Sequence, residues 1–198
     1  EPVHNTGYEI FIDSTTGEVL KRRCVTEHAA APATYNVFTS ESPTPLSPGY
    51  ISPGTNQPPT TSRAVFAVTS FSGTASPNGW IDVGLNQLRG NNANAYYMKA
   101  TSESSWSGTQ VNGNPSRVFD FPLDLTKSPA ARAEAATVNA FYWVNWAHDK
   151  LYELGWVESE RNCQETNFNR GGLGEDRMTV TVNSPGDEDN ASMTTWDE

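Results

Sequence analysis

Hydrophobic and polar positions follow three different rhythms along this chain. In GYEIFIDSTTGEVLKRR, Tyr8, Ile10 and Ile12 recur at every second position, residues 14–17 carry turn chemistry, and Val19 and Leu20 resume the apolar pattern. That is the signature of strand, turn, strand. From 64 to 121 short extended runs alternate with turns: AVFAVTSF at 64–71, a Pro77-Asn78-Gly79 turn, an extended piece starting at Trp80, Ile81 and Val83, and a strand candidate at 117–121. Asn91 and Asn92 are residue types that tolerate the left-handed conformation. Between these stretches, prolines at 43, 45, 48, 53, 58 and 59 leave little room for regular structure. Tyr35, Val37, Phe38, Tyr50 and Ile51 mark that stretch as a wrap pinned to the core.

The period then lengthens. Ala136, Ala140, Trp143, Val144, Ala147, Leu151 and Leu154 recur at helical spacing, and Phe141, Tyr142 and Trp146 widen the stripe. Ser128 can cap, Pro129 suits the first helical position, and Gly155 can take the left-handed stop. A helix over 128–155, about 40 Å long at 1.5 Å per residue, is expected to be buried on several sides. The fold class is α+β: a β-rich N-terminal lobe built around one long buried helix.

Composition narrows the function classes. Charged residues are 18% and aromatics 11%, with six tryptophans, a globular composition. Thirteen Lys plus Arg against 23 acids give a net charge of −10, which argues against nucleic acid. No apolar run reaches the roughly eighteen residues of a membrane-spanning helix. Cys24 and Cys163 fit either one bridge or two free thiols.

FYWVNWAHDKLYELGW at 141–156 and NFNRGGLGEDR at 167–177, with FDFPLDL at 119–125 and RGNNANAY at 89–96, resemble the fungalysin family of secreted zinc metallopeptidases. The four segments come in the family's order, and ATYNVF at 33–38 is similar to the start of its mature enzymes. The hairpin at 8–20 resembles the one that closes the pro-region of such precursors. The resemblance implies residues 1–32 as the end of a pro-region and 33–198 as the N-terminal subdomain of the peptidase domain, truncated before the zinc motif. It also implies a secreted, extracellular parent that hydrolyses peptide bonds in proteins. Lys21, Arg22 and Arg23, ahead of the small residues 29–33, are then a candidate cleavage zone, or else a basic edge that blocks strand aggregation.

No HExxH occurs, and four residues either side of His148 stand Val144 and Tyr152, so no two histidines share a helical face. No residue here is expected to be catalytic or to bind zinc. The zinc ligands are expected outside this chain, in the missing C-terminal half of the peptidase domain, and the fragment alone is expected to be inactive.

GGLG at 171–174 lacks a P-loop lysine and precedes a strand, so tight turns are preferred to a phosphate cradle, with Arg170 and Arg177 paired to acids such as Glu175 or Asp176. His148 and Asp149 are adjacent on the helix and are not expected to face each other, so His148 reads as a structural anchor. Met178–Val182 and 190–194, separated by SPGDED, read as two antiparallel strands. The resemblance makes the second the edge strand that pairs with substrate, so Asn190, Ala191, Ser192 and Met193 are the expected substrate-binding residues, with Met193 where the family usually has phenylalanine. Asp187, Glu188 and Asp189 offer hard oxygens for calcium, against the plainer reading of a solvated turn, and Asn190-Ala191-Ser192 is a glycosylation sequon. The alternative function is a non-catalytic carbohydrate- or peptide-binding module, with Trp80, Trp106 or Trp196 as stacking platforms.

Overall fold

A computed structural model of the chain describes residues 8–24, 31–39, 62–102, 105–185 and 191–194. Strands β1 (Tyr8–Ile12) and β2 (Val19–Cys24) form the expected antiparallel hairpin. Asp13 builds the turn by accepting from the Thr15 and Thr16 amides at 2.7 and 3.0 Å, and Gly17 supplies φ +72°. Lys21, Arg22 and Arg23 lie inside β2, opposite Phe11, Ile10 and Glu9, and so are part of the ladder instead of a linker. The hairpin leaves Ile10, Phe11, Ile12, Val19 and Leu20 exposed.

Two three-stranded sheets make the body. In one, β3 (Ala33–Val37) lies between antiparallel β4 (Ala64–Val68) and parallel β7 (Val118–Phe119). In the other, β5 (Ala93–Ser102) lies between antiparallel β6 (Ser105–Gln110) and parallel β8 (Met178–Val182). Helix α1 (Ala133–Glu153) packs against β3, β5 and β8. The core is aromatic. Fully buried Tyr35 stacks on Phe119 with ring centroids 5.6 Å apart and meets Trp80, Phe141 and Tyr142 at about 6 Å.

The helix is where expected, with two refinements at its start and a most deeply buried face that the apolar stripe does not mark. Ser128 makes no side-chain cap, and Pro129–Arg132 is a 3-10 turn leading into α1. At the other end the Gly155 amide bonds to the Tyr152 carbonyl and the Trp156 amide to that of Leu151, the paired bonds of a Schellman stop, with Gly155 at φ +105°. The buried face consists of Ala133, Ala135, Thr137, Val138, Phe141, Tyr142, Asn145 and His148. At 100° per residue this face lies opposite the expected stripe, whose Leu151 and Leu154 are 44% and 83% exposed. The helix is apolar on both sides, and polar residues on its inner face satisfy themselves locally. Thr137 donates to the Ala133 carbonyl at 2.7 Å and Asn145 to that of Phe141 at 2.9 Å.

The extended piece expected from Trp80 is no strand; residues 80–84 turn tightly, and only isolated bridges follow, Gln87 to Asn112 and Arg89 to Asn94. Asn91 and Asn92 keep negative φ and act through their side chains. The β5–β6 hairpin, the longest strand pair, was not among the elements expected from the sequence.

Candidate functional site

Of the four expected substrate residues, Asn190 lies outside the described residues, as do Asp187, Glu188, Asp189 and Trp196. Ala191, Ser192 and Met193 are exposed, Met193 at 79%. Residues 191–194 carry no strand, and the expected antiparallel pairing with β8 is not found among the described residues. Instead β8 runs parallel to β5, Ala93 opposite Met178 through Tyr97 opposite Val182. The local turn signal at SPGDED favours a hairpin, but with a long helix interposed between β5 and β8 the chain returns along the sheet in the same direction.

His148 and Asp149 do meet, contrary to expectation: His148 Nδ1 is 3.2 Å from Asp149 Oδ1. Neighbouring residues point about 100° apart, but both side chains bend toward the same polar patch beneath the helix. There Asp149 also accepts from the Ser76 hydroxyl at 2.6 Å and from the Trp80 indole N–H at 2.9 Å. Asn92 donates to Ser76 Oγ at 2.9 Å and to Asn145 Oδ1 at 3.3 Å, while the Gln164 amide nitrogen reaches the Ala75 carbonyl and Asn92 Oδ1. The structural reading of His148 therefore stands, with Asp149 as the hub that ties loop 72–80 to the helix. Trp80, 5% exposed and wedged among Tyr35, Phe71 and Tyr142, offers no stacking platform; Trp106 on β6 is 39% exposed.

Beyond the helix, the glycine-rich stretch is a set of tight turns. Phe168, Asn169, Gly171, Gly172 and Glu175 all have positive φ. A Cβ on Gly172 would sit 1.7 Å from the Glu158 carbonyl oxygen, so only glycine fits. Arg170 pairs with buried Glu158 at 3.1 Å, and Arg177 with Glu165 at 2.7 Å and Asp82 at 3.5 Å, in place of the Glu175 or Asp176 expected. Burial holds the Asp82 carboxyl above its usual range, against the pull of Arg177. Asn91 stitches this stretch to the RGNN segment: its carbonyl accepts from the Glu165 amide and its side chain bonds both backbone groups of Thr166. Glu165, Asn167, Phe168, Gly172 and Glu175 line an open surface depression that holds no nucleophile beside a base.

Cys163 is a free, half-buried thiol at φ +55°, with its sulfur directed to the Arg161 carbonyl. Burial, and next the charge of Asp176, push its pKa up. At pH 7.5 it is therefore expected to react with a disulfide reagent more slowly than free cysteine and to reach the free rate in urea, because the thiolate is the nucleophile. A native rate equal to free cysteine would contradict this environment.

A zinc ion does not fit the described residues. His148 commits Nδ1 to Asp149, its Nε2 is buried beside the Tyr152 and Trp156 rings, and no described group of three or more His, Cys, Asp or Glu converges. No helix among the described residues is long and apolar enough to cross a membrane.

Comparison with known proteins agrees with the sequence motifs. Residues 50–198 match the model of the family described as fungalysin metallopeptidase (M36). The chain is 29% identical over 147 residues to the extracellular metalloproteinase MEP of Pyricularia oryzae, covering 72% of this chain and 23% of that protein. It is 32% identical over 146 residues to extracellular metalloproteinase 1 of Phaeosphaeria nodorum, with 72% and 23% covered. Against extracellular metalloproteinase 3 of Trichophyton soudanense the identity is 31% over 125 residues, with 61% and 32% covered. The chain thus spans a quarter to a third of the length of these relatives. With the matched family model covering residues 50–198, and the fold carrying its motifs at the helix, the glycine turns and the RGNN segment, this chain belongs to the fungalysin metallopeptidase family.

Proposed function

We propose that this chain is the N-terminal part of a secreted zinc metalloendopeptidase that hydrolyses peptide bonds in proteins. Residues 33–198 supply one wall of the cleft, and 1–32 are the end of a pro-region. The observation that carries this reading is the family match over 50–198 in a chain that has no HExxH. Zinc, held by residues outside this chain, would supply the metal chemistry. Relatives named extracellular support secretion. The hairpin, which among the described residues forms a sheet of its own, and the buried strand β3 starting at Ala33 support a boundary between them. The uncovered outer side of α1 around Leu151 and Leu154 supports a docking place for the remainder of the peptidase domain.

In this reading residues 190–193 bind substrate through the main chain, their amides and carbonyls holding it extended while side chains choose the sequence. Exposure of Ala191, Ser192 and Met193 leaves them accessible for that role. The test is a polypeptide continuing past Glu198, assayed on a protein substrate. Proteolysis lost on chelation and restored by zinc is expected, and Ser192→Pro, which removes one backbone donor, should raise KM about tenfold, the value of a single hydrogen bond. Absence of chelator-sensitive proteolysis would overturn the enzyme reading; an unchanged KM would overturn the role of 190–193 alone. Residues 1–198 by themselves are expected to cleave nothing, with or without added zinc.

A further inference from the structure

The turn after α1 places a carboxylate where carboxylates are rarely found. Glu158 is 2% exposed, one oxygen 3.1 Å from Arg170 Nη1 and the other accepting from the Tyr152 hydroxyl at 2.9 Å. The same Arg170 nitrogen reaches the Thr74 carbonyl and the Tyr152 oxygen, and its guanidinium lies 5.3 Å over the Phe168 ring. Gly172 is pressed against the Glu158 backbone.

The loop these contacts hold is strained. Phe168 and Glu175 take left-handed φ of 51° and 65°, unfavourable for their side chains, on either side of Asn169 at 60°, a residue type that tolerates it. Its residues from Asn169 to Asp176 are exposed, so little apolar burial opposes relaxation. Within the loop, Asn167 donates to the Gly171 and Leu173 carbonyls, which shapes the turns but ties them to nothing outside. The far end of the loop is tied by the Glu175 amide to the Glu165 carbonyl; its near end is tied through Arg170, whose guanidinium is fixed by buried Glu158 and also reaches the Thr74 carbonyl.

We propose that Glu158 is a latch: its buried carboxylate, acting through Arg170, holds residues 168–175 in a strained path, and neutralising it releases that loop without unfolding the lobe. The loop is the last part of the connection from α1 to β8, whose start is held separately by Arg177 and by the Met178 amide on the Asn92 carbonyl. This holds whether or not residues 190–193 meet a substrate.

Hydrogen exchange on residues 1–198 tests it. In Glu158→Gln, the hydrogen-bonded loop amides of Arg170 and Glu175 are expected to exchange about tenfold faster while those of 138–148 in α1 keep their rates, the mark of a local opening. Unchanged loop exchange, or a rise of equal size in α1, would overturn the latch. Should Glu158→Gln fail to fold, Tyr152→Phe removes one bond to the carboxylate and is expected to speed the loop alone about threefold; no change, or a uniform rise, would overturn it equally.

Discussion

Gly90→Ala is expected to cost about 3 kcal/mol or more, enough to unfold a large fraction of a marginally stable lobe. A Cβ at this position would lie 2.0 Å from the Trp80 carbonyl oxygen and 2.7 Å from its carbon. Both atoms are backbone and belong to a segment fixed on every side: Trp80 is in the aromatic core, and the Asp82 amide is bonded to the Arg89 carbonyl. The 89–94 segment cannot retreat either. The Gly90 amide bonds to the Ala93 carbonyl, the Gly90 carbonyl accepts from Arg177 at 2.9 Å, and the Ala95 amide bonds back to Leu88. Relief must come from a shift of main chain in one of two packed segments. Gly73→Ala, where nothing lies within 4 Å of the new methyl and φ is not left-handed, is the matched control and should stay within about 0.5 kcal/mol of the parent. Urea unfolding of the two variants decides it, and equal midpoints would show that the segments at Trp80 and Gly90 yield freely.

That result bears on what the sequence discloses. RGNNANAY is recognisable as a motif, yet its reasons are spatial: the glycine for close approach to Trp80, Asn91 for the Glu165–Thr166 backbone, Asn92 for Ser76 and Asn145. Local grammar was enough for the β1–β2 hairpin, because alternation and turn residues act over a few positions. It was also enough for the end of α1, where Gly155 completes bonds reaching back only three to five residues. Partner choice at long range was not legible. The parallel pairing of β5 with β8 spans some 85 positions, and nothing in either strand names the other. Which side of α1 faces the core was not legible for a related reason. Hydrophobic periodicity reports which side is more apolar, and here the inner side carries Thr137, Asn145 and His148, which bond to Ala133, Phe141 and Asp149 within the helix itself, Asn145 also accepting from Asn92 across the fold. Of the candidate site, exposure of 191–193 agrees with a surface role, whereas a strand there depended on local turn signals that pairing in the sheet does not follow.

Asp149→Ala is the second large effect, and its pattern separates a structural carboxylate from a chemical one. Three donors converge on this side chain: Ser76 Oγ, Trp80 Nε1 and His148 Nδ1, from residues 2%, 5% and 4% exposed. Truncation leaves all three facing a small void, and each buried donor without an acceptor costs about 1–3 kcal/mol before water or rearrangement recovers part of it. A net loss of about 3 kcal/mol is expected. Asp149→Asn keeps one acceptor oxygen and should lose about half as much, since bonds to a charged acceptor are roughly twice as strong as neutral ones. If the carboxylate holds loop 72–80 against α1 through Trp80, then Trp80→Phe and Asp149→Ala must be non-additive: the double variant should be more stable than the sum of the singles predicts, by about 1 kcal/mol. Additive losses would mean that the indole bond carries no coupling and that Asp149 supports the helix some other way. A midpoint for Asp149→Ala within experimental reach of the parent would remove the hub altogether, and with it the reason that a histidine and an aspartate stand side by side in this helix without doing acid–base work.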